Sequence, residues 1–171
     1  MKRSWHLTSV ALTVVVLGQT VAAAAEQPAP RVPFKATMAG EFRGLVIPLP
    51  APIVSEQLTC KGQADLLGPL TSIEHYFARL DVDGKLSSVT DGIGVFAGAN
   101  GDALFITYSG LARPAAAGEA GRQELAFTVT GGQGRFAGAT GSGVIRDAIF
   151  FKDNLFTITR EFEGVVTAPK P

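Results

Sequence analysis

Short runs of alternating apolar and polar residues cover the chain from about residue 36 to residue 166, and Gly, Pro, Asn and Asp separate them. Many of the apolar positions are β-branched or aromatic, and no stretch of ten residues shows the 3.6-residue period of a helix. This pattern predicts an all-β domain. The eight predicted strands are residues 36–43, 56–67, 71–80, 86–97, 102–111, 123–131, 142–151 and 155–166.

The number of strands indicates how they are arranged. Eight consecutive strands in an open sheet would leave two long unpaired edges, and closure into a barrel removes both edges. The sequence therefore predicts a single eight-stranded antiparallel β-barrel with little helix.

One hairpin is marked by Asn100-Gly101, the strongest short signal for a two-residue turn, because both turn positions favour a positive φ. Such a turn sets the register of the two strands that flank it. The predicted cross-strand pairs are Ala97 with Leu104, Val95 with Ile106 and Ile93 with Tyr108 on one face, and Phe96 with Phe105 on the other.

A second hairpin, with a turn at Asp153-Asn154, would place Asp147 directly opposite Arg160 on an otherwise apolar strand face. Because an unpaired buried charge is very costly, we expect a carboxylate–guanidinium contact inside the barrel. The pair would either fix the strand register and close one barrel end, or face a cavity and orient the polar group of a ligand.

The first 25 residues have the three parts of a secretory signal peptide. Lys2 and Arg3 are followed by an apolar segment, residues 7–17, which is too short to span a bilayer as a helix, and then by a small-residue cleavage site. We expect cleavage near Ala25 and export to the periplasm or the cell exterior, without a stable membrane anchor. The expected organisation is a signal peptide at residues 1–25, a Pro-rich tether at 26–35, the barrel at 36–167 and a tail at 168–171.

Removal of the signal peptide changes the charge of the chain. The 15 Lys and Arg fall to 13 against 15 Asp and Glu, a formal charge of −2. Such a balance predicts no binding to nucleic acid or to an anionic membrane. Cys60 and His75 are the only Cys and His left, too few for a Cys/His zinc site or an internal disulfide. The sequence therefore predicts neither a metal nor another cofactor.

A glycine-rich stretch, TGGQGRFAGATG at residues 130–141, contains Gly131, Gly132, Gly134, Gly138 and Gly141. Gly132-x-Gly134-x-x-Ala137 formally matches a dinucleotide-binding fingerprint, but that motif requires a following helix, which further glycines disfavour. The lysine of a phosphate-binding loop is absent as well. Tight turns and close backbone contacts also select glycine. We therefore predict a compact connection between two strands in which Phe136 plugs one end of the barrel.

This motif, Thr130-Gly131-Gly132-x-Gly134-x-Phe136-x-Gly138-x-x-Gly141 followed by two strands, resembles the C-terminal part of allene oxide cyclases. It is similar, more loosely, to dirigent proteins, and it most resembles small exported bacterial proteins with an allene-oxide-cyclase-like barrel. Phe96-Ala97-x-Ala99-Asn100-Gly101-Asp102 and Gly62-x-Ala64-x-x-Leu67-Gly68 add to the bacterial likeness. The resemblance extends over about residues 90–166.

The resemblance implies an eight-stranded barrel with an apolar lumen, often trimeric, in which the plant proteins steer ring closure or coupling of hydrophobic substrates. Their polar working residues lie largely before the glycine motif, so no catalytic residue is carried over. This favours an exported barrel that binds a small hydrophobic molecule, with isomerisation or cyclisation as its reaction if it is an enzyme. The alternative is a non-catalytic module with a solid-packed barrel that acts through its surface or through contacts between copies.

Few polar residues qualify as ligand contacts in the lumen. Tyr108 lies on an apolar strand face, where its hydroxyl could orient a ligand or simply reach a barrel end. His75 could act in a Ser–His–Asp hydrolase, but the sequence contains no nucleophile elbow. The alternative is a histidine on the strand surface or one held by a hydrogen bond. Cys60 lacks a basic partner on its own strand face, so we expect an inert thiol. The resulting lumen candidates are Asp147, Arg160, Tyr108 and His75.

Overall fold

The computed structural model describes residues 29–47, 53–80, 87–113, 119–152 and 155–170, and these residues form a closed barrel. Each strand pairs antiparallel with its neighbours in sequence, and the first pairs with the last to close the sheet. This confirms the predicted all-β class and the eight-stranded antiparallel barrel. The strands are β1 (Arg31–Ile47), β2 (Ile53–Ala64), β3 (Gly68–Leu80), β4 (Ser87–Gly98), β5 (Ala103–Arg113), β6 (Gly121–Gln133), β7 (Gly141–Lys152) and β8 (Leu155–Thr167).

Strand β1 begins earlier than the sequence suggested. The predicted tether extended to residue 35, but residues 31–35 belong to β1 and pair with β8. Phe34 is buried, so the alternation of barrel-facing residues already starts within a segment whose prolines indicated a linker. The predicted signal peptide, residues 1–25, lies outside the described residues.

The β4–β5 hairpin has a register one residue away from the predicted one, so the predicted pairs were wrong. Phe96 pairs with Leu104 instead of Phe105. Asn100 does not have the positive φ that a two-residue turn requires. Instead Gly101, with a φ of 88°, ends a three-residue loop, and its N–H donates to the carbonyl of Gly98 at 3.1 Å. A three-residue loop of this kind shifts the register by one.

The glycine-rich stretch forms a compact connection between β6 and β7, as predicted. It contains a single 3₁₀ turn, Gly134–Phe136, and Gly134 begins this turn with a φ of 66° that residues with side chains rarely adopt. Phe136 is only 1% exposed and belongs to the hydrophobic core, which confirms its predicted burial. Asp102 ties the turn to the β4–β5 loop by accepting hydrogen bonds from the backbone N–H (2.9 Å) and Nε (2.7 Å) of Arg135.

Large side chains pack against one another in the described part of the barrel interior. Phe162 packs at the centre of an aromatic group, with its ring centroid 4.9 Å from that of Phe96 and 5.9 Å from that of Phe127. Burial of each such side chain stabilises the fold by about 1.5–3 kcal/mol. No described segment forms a helix that is long and apolar enough to cross a bilayer. The largest fully buried side chains are Arg160, Tyr76, Phe34, Phe96, Phe127, Phe136, Phe162, Leu58, Leu104, Leu125, Ile145 and Ile158.

Candidate functional site

The predicted contact between Asp147 and Arg160 is present inside the barrel. Asp147 on β7 is the direct cross-strand partner of Arg160 on β8. The Nε and Nη2 groups of Arg160 donate to the two carboxylate oxygens of Asp147 at 2.9 and 3.0 Å. Both side chains are completely shielded from solvent. This bidentate geometry is the strongest form of a charged hydrogen bond, and it confirms the predicted register.

Glu74 joins this pair, and we refer to Glu74, Asp147 and Arg160 as the buried ion cluster. Arg160 donates through Nη1 to Glu74, which lies on β3, and Ser72 donates to the other oxygen of Glu74 at 2.8 Å. Glu74 was not predicted, because β3 and β8 are not paired and only closure of the barrel brings them together. The available signal was the polar face that Glu74 shares with Ser72 on one strand.

The cluster contains two carboxylates for one guanidinium. Although burial opposes it, the charges of Glu74 and Asp147 raise the pKa of Arg160, so the guanidinium remains protonated. Burial raises the pKa of Asp147, and the charge and hydrogen bonds of Arg160 oppose this effect. Breaking a buried pair by removing one partner is strongly destabilising, whereas an intact pair is close to neutral compared with apolar residues. The arrangement therefore fixes which strands face each other across the lumen.

Tyr108 lies beside the cluster on the inner face of β5. Its ring centroid is 5.4 Å from the guanidinium carbon of Arg160, within the range of a cation–π contact. Gly92 on β4 makes room for the ring, because a Cβ atom there would lie 2.4 Å from two ring carbons. Burial and the charge of Glu74 raise the pKa of Tyr108, so its hydroxyl stays neutral. That buried hydroxyl has no hydrogen-bond partner of good geometry among the described residues.

A second polar group, the mouth residues Glu56, Tyr76 and Gln123, lies nearer the barrel end opposite Phe136. Gln123 donates through Nε2 to the Tyr76 hydroxyl at 3.4 Å. Burial raises the pKa of Glu56, and a hydrogen bond with Tyr76 only partly opposes this. Within the described part of the chain, Oε2 of Glu56 and Oε1 of Gln123 are buried without a partner. These oxygens and the Tyr108 hydroxyl are the polar atoms to which a ligand in the lumen would form hydrogen bonds.

His75 is not in the lumen, so its assignment as a lumen candidate was wrong. Its neighbours Glu74 and Tyr76 point inward, and His75 lies half-buried on the outer face with Nε2 2.9 Å from Oγ of Ser55. Cys60 is inside the barrel, where burial, supported by the charge of Glu74, raises the pKa of its thiol to about 11. The thiol is therefore protonated at neutral pH, in agreement with the expected inert cysteine.

Four large apolar side chains are exposed side by side on the outside of the barrel. The register makes them adjacent, because Val95 pairs with Ile73 on one side and with Phe105 on the other. Together with Ile93 they form what we call the outer apolar face, and Ile73 is the most exposed member at 68%. This face lines a cleft of about 460 Å³. The polar residues around the cleft are Gln57, Thr59, His75, Thr107 and Thr130.

The chemistry of these groups limits what each can do. Four clefts of about 380, 460, 500 and 550 Å³ are lined mainly by outward-facing residues. Among the described residues, no three His, Cys, Asp or Glu side chains converge in a way that could hold a metal ion. The buried ion cluster can order strands or hold a polar group, and the outer apolar face can exclude water from a partner.

No protein-family model matches the chain, and no curated protein is found to be similar to it. The resemblance to allene oxide cyclases therefore stays a prediction drawn from the glycine motif. Fold and site together define a closed eight-stranded antiparallel barrel with a buried ion cluster and an outer apolar face.

Proposed function

We propose that the protein is an exported, non-catalytic barrel that associates with other copies of itself through the outer apolar face. The observation that carries this proposal is the exposure of Ile73, Ile93, Val95 and Phe105 as one contiguous patch. An exposed apolar patch of this size is often a functional site, such as a surface that contacts another protein. Export rests on the features of residues 1–25, which lie outside the described residues.

The packed interior supports a role for the surface rather than the lumen. Ligand pockets in proteins enclose about 300–1,000 Å³ and bury most of the ligand. The described clefts of that volume lie mainly on the outside of the barrel, while the inward-facing aromatic side chains pack against one another.

Charge and size favour a second copy of the chain as the partner. Apart from the inward-pointing Glu74, the residues that line the patch include no Lys, Arg, Asp or Glu, so two copies can meet there without like-charge repulsion. The four side chains expose on the order of 400 Å² of mainly apolar surface, comparable with the largest patches of typical monomers.

Size-exclusion chromatography with light scattering tests the proposal on variants that change only exposed side chains. Wild-type protein should run as an oligomer at micromolar concentration, and Ile73→Lys should run as a monomer with an unchanged circular dichroism spectrum. The matched control is Val165→Lys, which adds the same charge at an exposed valine on β8 outside the patch and should remain oligomeric. A monomeric wild-type protein, or an oligomeric Ile73→Lys variant, would refute the proposal.

A second candidate function is the binding of a small apolar molecule in the lumen, with an isomerisation or cyclisation as the reaction if the protein is an enzyme. Three buried polar atoms that lack a hydrogen-bond partner of good geometry among the described residues favour it, namely the Tyr108 hydroxyl, Oε2 of Glu56 and Oε1 of Gln123. In this case Asp147 and Arg160 would orient the polar end of the molecule. Organic extracts of protein purified from its own host should then contain a stoichiometric compound by mass spectrometry. Tyr108→Phe should retain less of it, while extracts without such a compound would exclude this function.

A further inference from the structure

Two arginines face each other on the outside of the barrel, at the end opposite Phe136. Arg113 near the end of β5 and Arg122 near the start of β6 are direct cross-strand partners, and both are exposed. Directly opposed side chains have Cβ atoms about 4.5–5.5 Å apart, and like charges at such positions destabilise a sheet. Among the described residues, no carboxylate lies within ion-pair distance of either guanidinium. The opposed charges are thus held by strand register without an ion pair to a described carboxylate.

A cleft lies at this position. It has a volume of about 500 Å³, and Leu111, which is 54% exposed, provides an apolar wall beside the two arginines. Arg146 on β7 adds a third guanidinium, but it already contacts Glu163 at 3.4 Å. Glu124 is the one acidic side chain of the outer wall, opposite Arg146 in the ladder. Because Arg146 is paired with Glu163, Glu124 remains as the neighbouring carboxylate, and Arg113 and Arg122 together outnumber it by one charge.

We propose that this cleft binds the oxyanion of a small ligand, a carboxylate or a phosphate, between Arg113 and Arg122. A guanidinium presents parallel N–H donors that match the oxygens of either group, and two opposed forks can hold one anion from both sides. Binding removes the repulsion between the two arginines, so the site gains free energy from relief of repulsion as well as from hydrogen bonds. Leu111 would contact the apolar remainder of the ligand. The site is separate from the outer apolar face, and the inward-facing Gln123 and Asp147 border it on the lumen side.

Nuclear magnetic resonance of the arginine Nε–H groups tests this inference with inorganic phosphate and acetate as probes. At constant ionic strength, the signals of Arg113 and Arg122 should shift along a saturating curve with one or both probes, and sodium chloride should give no such curve. Acetate saturation indicates a carboxylate ligand, and saturation by phosphate alone indicates a phosphate ligand. Linear shifts, or equal shifts at the exposed Arg43 of β1, would overturn the proposal.

Variants separate this site from general ionic effects. Arg122→Gln should weaken binding at Arg113 by about tenfold or more, since it removes half of the charged hydrogen bonds. Arg43→Gln, the matched control on another outer face, should leave the curve unchanged. The thermal midpoint provides a second readout, because phosphate should raise it more than chloride in wild-type protein and not in Arg122→Gln. An equal phosphate effect in both proteins would count against the proposal.

Discussion

At the scale of single residues, the buried ion cluster decides how the chain is held together inside the barrel. Arg160 contacts carboxylates from β3 and β7, so one side chain links β8 both to its neighbour β7 and to β3, which is distant in sequence. Each of the three charges would be very costly if it were alone in this environment. The cluster therefore strongly destabilises any strand register or barrel closure that separates its members. Its contribution to the stability of the native fold is smaller.

Arg160→Met should destabilise the protein by about 3–5 kcal/mol, because it leaves Glu74 and Asp147 buried without a cation. The loss should be smaller at pH 4 than at pH 7, since the stranded carboxyl groups can then be neutralised by protons. Urea unfolding measures both values. The triple variant Glu74→Met, Asp147→Leu, Arg160→Met provides the control, and it should recover most of the lost stability. An equally unstable triple variant would show that packing rather than charge is responsible.

Glu56 should make the protein less stable as the pH rises. Its pKa is raised above the ordinary value of 4.5 by burial, so the folded state binds the proton more tightly than the unfolded state does. This contribution is present below pH 4.5 and is lost as the pH rises through the higher pKa of the folded state. The free energy of unfolding of Glu56→Gln should lack that decline between pH 4 and pH 8. Parallel pH curves for the two proteins would contradict the prediction.

At the scale of strands, β3 explains why part of the site was predictable from the sequence and part was not. On the paired strands β7 and β8, apolar alternation identified the inner face, and the contact of Asp147 with Arg160 followed from it. On β3 the pattern is inverted, because Ser72 and Glu74 face inward while Ile73 is exposed. Alternation alone would place Ile73 inside. The sequence pattern therefore predicted neither Glu74 as the third member of the ion cluster nor the outer apolar face.

At the β4–β5 hairpin, the sequence also could not decide between two turn types. The Asn100-Gly101 dipeptide fits a two-residue turn and also a three-residue loop that ends in Gly101, and the choice changes the register by one residue. Strand number and order were predictable because turn residues punctuate the chain at regular intervals. The contact between Glu74 and Arg160 was not, because it depends on how far the sheet is staggered when it closes.

The connection between β6 and β7 should be a major contributor to stability. Phe136→Ala should lower the free energy of unfolding by about 3–5 kcal/mol, since it removes a fully buried ring from a closed barrel end. Phe150→Ala is the matched control, because Phe150 lies on β7 with 47% of its surface exposed. Phe150→Ala should lower the free energy of unfolding by less than about 1 kcal/mol, because substitutions of exposed residues have small effects. Similar losses for the two variants in urea unfolding would show that Phe136 is not a plug.

At the scale of the whole molecule, the barrel combines an interior of packed aromatic and aliphatic side chains with an apolar patch on its outer surface. Closure removes the sheet edges, so association by addition of strands is not available to this fold. The proposed contacts between copies would then form through the faces of strands, and the outer apolar face has a composition suited to such contacts. The inverted pattern of β3 serves both features, since it supplies Glu74 to the interior and Ile73 to the surface.

Native mass spectrometry of the protein purified from its own host tests this account most directly, because one spectrum reports both the number of chains and any retained small molecule. The account predicts an oligomer whose mass equals the sum of its processed chains, and a monomer for Ile73→Lys under the same conditions. A wild-type monomer that carries a stoichiometric small molecule would contradict it, and would assign the function to the lumen instead.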